Sequence, residues 1–114
     1  MHLESIYFNQ IKERKKLYET RIFDKKRKGI KLLDVVTFTD NDTKKTFKAK
    51  ITELSHFKTF KEAISEVGIK KVLPSAKSLV DGIKMYEAFP HKEYGNYKDA
   101  AKKYGVLRMK FELL

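Results

Sequence analysis

Lys15-Lys16-Leu17-Tyr18-Glu19-Thr20-Arg21-Ile22-Phe23 is the stretch around which the chain is organised. Its alternating side chains predict a β-strand over Leu17–Phe23, in which residues two apart share a face. Glu19 and Arg21 then point the same way, close enough to pair or to meet one ligand, with Leu17 and Phe23 beside them. Tyr18, Thr20 and Ile22 take the other face. A charged pair between apolar residues suggests a strand along the floor of a cleft. Read without its surroundings, the same pattern is an ordinary surface strand with an ion pair worth about 0–1 kcal/mol.

Working outward, Ile6, Tyr7, Phe8 and Ile11 space as a short helix that starts near Glu4 or Ser5. The cations Arg14-Lys15-Lys16 close it. After the strand, Asp24–Gly29 is a basic loop (Asp-Lys-Lys-Arg-Lys-Gly). It reads as a solvated turn, or as a phosphate-facing patch built from Lys25, Lys26 and Arg27. Val35–Thr39 and Lys45–Leu54 alternate around a turn cluster and predict a hairpin, with Phe47, Ala49 and Ile51 on its buried face. Asp34 holds the loop before it by accepting backbone hydrogens.

From Thr59 the period changes. Thr59 caps a helix through Phe60, Ala63, Ile64 and Val67, with Glu62 three residues on and Gly68 at its end. Lys70–Pro74 is a connector. A helix from Ser75 or Ser78 runs through Leu79, Ile83, Tyr86 and Phe89 to Pro90, with Gly82 inside it as an irregularity. His91–Asn96 is a loop, and Tyr97–Tyr104 a short helix ended by Gly105. Val106–Leu113 is a last strand, with Val106, Arg108, Lys110 and Glu112 on a wet face. Strands separated by helices without a βαβ rhythm indicate an α+β fold.

The 114 residues fit one domain, large enough to bury roughly two-thirds of its unfolded surface. Hydrophobic residues make up 41%, enough for a folded core. There is no cysteine, which excludes disulfides and thiolate chemistry and fits a reducing, intracellular compartment. His2, His56 and His91 are scattered without ligand spacing, so no metal site and no cofactor are expected. No run of about 20 apolar residues could span a membrane. A net charge of +11 points to a polyanion, nucleic acid first. Lysine dominates that charge, and solvated lysine faces are common. Only Arg14, Arg21, Arg27 and Arg108 offer the more specific guanidinium.

Lys16-x-x-Glu19-x-Arg21, the basic loop, Asp34 before Val35–Phe38, and Lys103-Tyr104-Gly105-Val106 running to Phe111 together resemble the ASCH domain family. The resemblance covers nearly the whole chain. It implies a PUA-like fold, a small mixed β-barrel flanked by helices, with a cleft for single-stranded RNA or a nucleoside. Some relatives hydrolyse acetylated cytidine using a lysine, a threonine and a distant glutamate. Lys16 stands at the lysine position, but Glu19 replaces the threonine, and Thr20 falls on the opposite strand face. Glu62 and Glu66 match the distant glutamate only by rough order. Arg14 and Leu33 stand where the family usually has glycine.

The expected function is therefore an RNA- or modified-nucleotide-binding module. Its site is Lys16, Glu19 and Arg21 with the loop cations Lys25, Lys26 and Arg27. Tyr94, Tyr97 and Tyr104 are placed to stack on unpaired bases, Tyr94 best of the three, while Tyr104 beside Gly105 reads rather as a core residue. Lys16 is either a pocket cation or a solvated strand-edge lysine. Glu19 and Arg21 serve recognition, barrel structure or both. The alternatives are an enzyme on RNA or nucleosides, with Lys16 and Glu19 as its only local acid–base pair, and a protein-interaction domain whose partners the sequence leaves unnamed.

Overall fold

The computed structural model describes residues 1–114. In chain order the elements are β1 (His2–Leu3), α1 (Ser5–Lys12), β2 (Tyr18–Ile22), β3 (Val35–Asp40), β4 (Thr46–Phe57), α2 (Phe60–Ser65), α3 (Ile69–Val72), α4 (Leu79–Glu87), β5 (Pro90–His91), β6 (Gly95–Asn96), α5 (Tyr97–Tyr104) and β7 (Val106–Leu113). Five strands form one mixed sheet in the order β1-β3-β4-β7-β2. The β1–β3 pairing is parallel and the others are antiparallel. The sheet is a half-barrel with five helices, an α+β architecture.

The barrel is left unclosed, and that positions everything below. Its two free edges are β1 and β2. They are bridged by a side chain: the Arg21 guanidinium donates to the His2 carbonyl at 3.2 Å. A seam therefore runs between the edges.

Thr59 caps α2 as expected, Ser78 rather than Ser75 opens α4, and Asn96, expected only as loop, caps α5. Each side chain accepts from the backbone N–H three residues on. Asp34 accepts from the Lys31 N–H at 2.8 Å, fixing the loop before β3. Gly105 has φ +79°, and an added Cβ would lie 2.9 Å from the Phe57 carbonyl oxygen. Gly82 is explained by close packing: a Cβ there would meet Ile69 Cδ1 at 2.1 Å, so α4 lies directly on α3.

Several expectations need correction. The first helix ends at Lys12, so Arg14, Lys15 and Lys16 lie beyond it. The expected connector Lys70–Pro74 contains most of α3, and the expected loop His91–Asn96 carries the two-residue strands β5 and β6. The wet face of β7 begins only at Lys110. Val106, Leu107, Arg108 and Met109 are all buried, because β7 is an inner strand and α2 covers the face that carries Arg108. Arg108 donates to the Ala63 carbonyl at 2.8 Å and to Glu66 at 2.7 Å, over the rings of Phe57 and Tyr18.

Arg14 and Leu33 keep the backbone shape that glycine would adopt. Their φ angles are +62° and +72°, in the left-handed region that costs a side chain about 1–3 kcal/mol. Leu33 is 63% exposed, so its side chain returns little packing for that strain. We expect Leu33→Gly to stabilise the fold by about 0.5–1 kcal/mol in urea unfolding, after the entropy cost of glycine is subtracted. A loss of stability would show that Leu33 makes contacts that outweigh its backbone.

Candidate functional site

The motif strand forms a buried charge cluster, and the reading of Glu19–Arg21 as a surface ion pair is corrected by its burial. Glu19 is 4% exposed and Lys16 2%. Lys16 precedes β2 and turns inward, which excludes its reading as a solvated strand-edge residue. Its ammonium donates to the Val72 carbonyl and to the Tyr86 hydroxyl at 3.0 Å, and lies 3.3 Å from Glu19 Oε1. The same Oε1 accepts from the Tyr86 hydroxyl at 2.8 Å and from the Thr20 N–H at 3.0 Å. Glu19 Oε2 faces Arg21 at 3.4 Å. One carboxylate thus meets two cations, a phenol and an amide.

The electrostatics follow from this crowding. Burial pushes the Lys16 ammonium down from its ordinary pKa, and Glu19 opposes that. Burial alone would raise the Glu19 carboxyl. The charges of Lys16 and Arg21, with the Tyr86 and Thr20 hydrogen bonds, together hold it below its ordinary 4.5. Burial, then the adjacent carboxylate, pushes the Tyr86 phenol well above 10.0. Glu19 is a stable anion and a weak base.

A cavity of about 260 Å³ opens at the seam. Glu19, Thr20 and Arg21 form one wall, and His2, Leu3 and Glu4 the opposite rim. Tyr7, Phe89 and Tyr97 supply aromatic surface, and the exposed Asn41 adds a polar side chain. The Thr20 hydroxyl is buried near the Tyr86 hydroxyl, outside hydrogen-bonding geometry and without a partner. Thr20 thus borders the same cavity as Glu19 and Arg21, although the strand alternates as expected.

The structure brings Glu19 and Arg21 to the cavity and keeps Lys16 behind them. The loop cations Lys25, Lys26 and Arg27 line a second cavity of about 460 Å³. Pro90 and Tyr97 border both cavities. In the second, Asp24 is occupied by Arg27 at 3.1 Å and by His91 Nε2 at 3.2 Å. His91 Nδ1 accepts from the N–H groups of Glu93 and Tyr94, which leaves the proton on Nε2 to face Asp24.

Tyr94 is half-buried, packs edge-on against Tyr104 and borders neither cavity. Tyr104 is half-buried rather than a core residue, and its hydroxyl donates to Glu93 at 2.8 Å. Glu62 donates its backbone N–H to the Thr59 cap of α2 and Glu66 holds Arg108, and neither borders the seam. Sequence reasoning missed Tyr86 and Asn41. Tyr86 sits on a helix whose apolar spacing marks it as core, and Asn41 sits in a turn cluster. Tyr97, a stacking candidate from the sequence, is buried and borders both cavities.

The ASCH domain family model matches residues 1–114. The chain belongs to the ASCH domain family. Two solved structures share the fold of this ASCH domain over its whole length. One is the crystal structure of hypothetical protein PH0355, with TM-score 0.84 and 34% identity over 96% of that chain. The other is the solution NMR structure of protein PF0455 from Pyrococcus furiosus, with TM-score 0.73 and 32% identity over 98% of that chain. A search of the curated proteins finds no match. The PUA-like fold of the family agrees with the half-barrel described above.

Removing one member of a buried pair strands the other charge, at about 3–5 kcal/mol. Glu19→Ala is expected to cost that much in chemical denaturation, and Lys16→Met with Glu19→Gln much less than the two single changes summed. A fully additive pair would contradict the coupling. The acid limb carries a second prediction. Glu19 binds protons more weakly in the folded chain, so its contribution to stability is complete above the unfolded pKa and is lost as pH falls through the folded one. Glu19→Gln should remove that part of the decline below pH 4.5, measured by unfolding at stepped pH.

Proposed function

We propose that this ASCH domain binds RNA, as a single strand or through a modified nucleotide, with one base in the seam and phosphate on the adjoining basic loop. The observation that carries the reading is the junction of the two cavities at Pro90 and Tyr97. An aromatic-walled cavity of about 260 Å³ suits a base or a nucleoside better than a drug-sized ligand, which occupies roughly 300–1,000 Å³. Asn41, exposed at the cavity, brings an amide group that can read a base edge. Arg21 is anchored by Glu19 and keeps further N–H donors for the ligand. Lys25 and Lys26 are exposed and unpaired beside it. The net charge of +11 supports a polyanionic partner in general terms.

Amide hydrolysis is the second reading, and burial of Lys16 favours it by pushing that amine down. Against it, Lys16 stands behind Glu19 and Tyr86, and Glu19 is too well stabilised to take a proton readily. Incubation with acetylated cytidine should give no deacetylated product. Product from the wild type but not from Lys16→Met would overturn the binding-only reading.

The binding reading is tested by NMR titration with a short single-stranded RNA at low and physiological salt. Shifts should concentrate on Thr20, Arg21, Asn41 and Tyr97 and persist at the higher salt. Arg21→Ala should weaken binding roughly 10- to 100-fold, the scale of a lost charged hydrogen bond. An equal loss on replacing Lys31 and Lys48, which border neither cavity, would reduce the interaction to generic charge.

A further inference from the structure

The seam and the loop cavity do not end the groove. A third cavity, of about 940 Å³, lies beyond them between the end of β4 and the C-terminal end of α5. Tyr104 borders both the second and the third. Shared walls therefore link the three in one line, seam to loop to α5.

The charges along this line are sorted. Beyond the seam, where the exposed Glu4 stands at the rim, its carboxylates are occupied within the chain: Asp24 by Arg27 and His91, Glu93 by the Tyr104 hydroxyl, and Glu62 as the capping partner of Thr59. Its lysines are free. Lys25, Lys26, Lys92, Lys58 and Lys103 are exposed and form no ion pair, and Lys102 reaches only the exposed Asp99 at 3.9 Å. The C-terminus of a helix is the negative end of its dipole and a poor neighbour for phosphate. Lys102 and Lys103 in the last turn of α5, with Lys58 opposite, reverse the sign at that spot. Ring faces accompany the charges. The centroid of His91 is 6.3 Å from those of Tyr97 and Tyr104, so three rings follow the line between the cavities. A cationic groove lined with rings is the arrangement that holds unpaired strands.

We infer that the groove is a track for a single strand several nucleotides long, and that Lys58, Lys102 and Lys103 hold its phosphates after it leaves the seam and crosses the basic loop. The inference rests on the proposed reading of the seam as a base site. It extends that site from a nucleotide pocket to a surface long enough for several nucleotides.

The test compares binding of cytidine monophosphate and a hexacytidylate RNA at physiological salt by calorimetry. The proteins are the wild type, Lys58→Gln/Lys102→Gln/Lys103→Gln, and the control Lys31→Gln/Lys48→Gln/Lys77→Gln. All these lysines are exposed, so the variants should fold, which circular dichroism checks. The wild type should bind the hexamer at least about tenfold more tightly than the mononucleotide, one stacked base being worth roughly that much. The groove variant should lose that gain and keep its mononucleotide affinity, and its salt slope should fall by about 2, near 0.7 per phosphate released. The control should keep the gain. Unchanged hexamer binding in the groove variant, or an equal loss in the control, overturns the track and leaves the seam reading standing. If neither ligand binds the wild type, both fail together.

Discussion

A single buried carboxylate, Glu19, is the constraint on which the seam depends. Burying a carboxylate and an ammonium together removes both from water, a cost that attraction offsets only when the remaining hydrogen-bonding capacity is filled. Here it is filled. Oε1 takes the Tyr86 phenol, the Thr20 amide and the Lys16 ammonium, and Oε2 takes Arg21. Lys16 in turn satisfies the Val72 carbonyl at the end of α3. The cluster therefore ties β2 to α3 and α4 through polar contacts, beside the apolar packing of Phe60 on Tyr86.

This matters because β2 is an edge. An edge strand presents unpaired N–H and C=O groups, and natural sheets cover or occupy them. In this half-barrel the Thr20 N–H is taken by the Glu19 side chain, and the His2 carbonyl on the opposite edge by Arg21. The two edges are held apart by side chains rather than joined by a ladder. The space between them keeps aromatic walls and an anchored guanidinium. The cations have different surroundings: Lys16 is enclosed in the cluster, Arg21 touches both the cluster and the seam cavity, and Lys25 and Lys26 face solvent.

Much of this is legible in the sequence, for local reasons. The cap at Thr59, the period of α2, the alternation of β4 and the glycine at 105 are governed by neighbours in the chain. Family resemblance adds the barrel and the importance of Lys16, Glu19 and Arg21. The burial of those residues is not local. It depends on helices far along the chain, with Tyr86 lying 67 residues from Glu19. Arg108 escapes a period-2 reading for the same reason, since α2 covers what alternation assigns to water. Tyr104 illustrates a further limit. Its place beside Gly105 marks it as a core residue, while its ring borders a cavity on either side. Arg14 and Leu33 look like departures in composition, yet their backbone keeps the glycine conformation, one between α1 and β2 and the other just before β3.

The most direct measurement is a crystal structure of the chain with a short single-stranded RNA, grown at physiological salt. The account predicts a base inserted between β1 and β2, in contact with Arg21 and Thr20, with the Glu19–Lys16–Tyr86 cluster undisturbed behind it. RNA lying only on surface lysines, with the seam empty or collapsed, would contradict it.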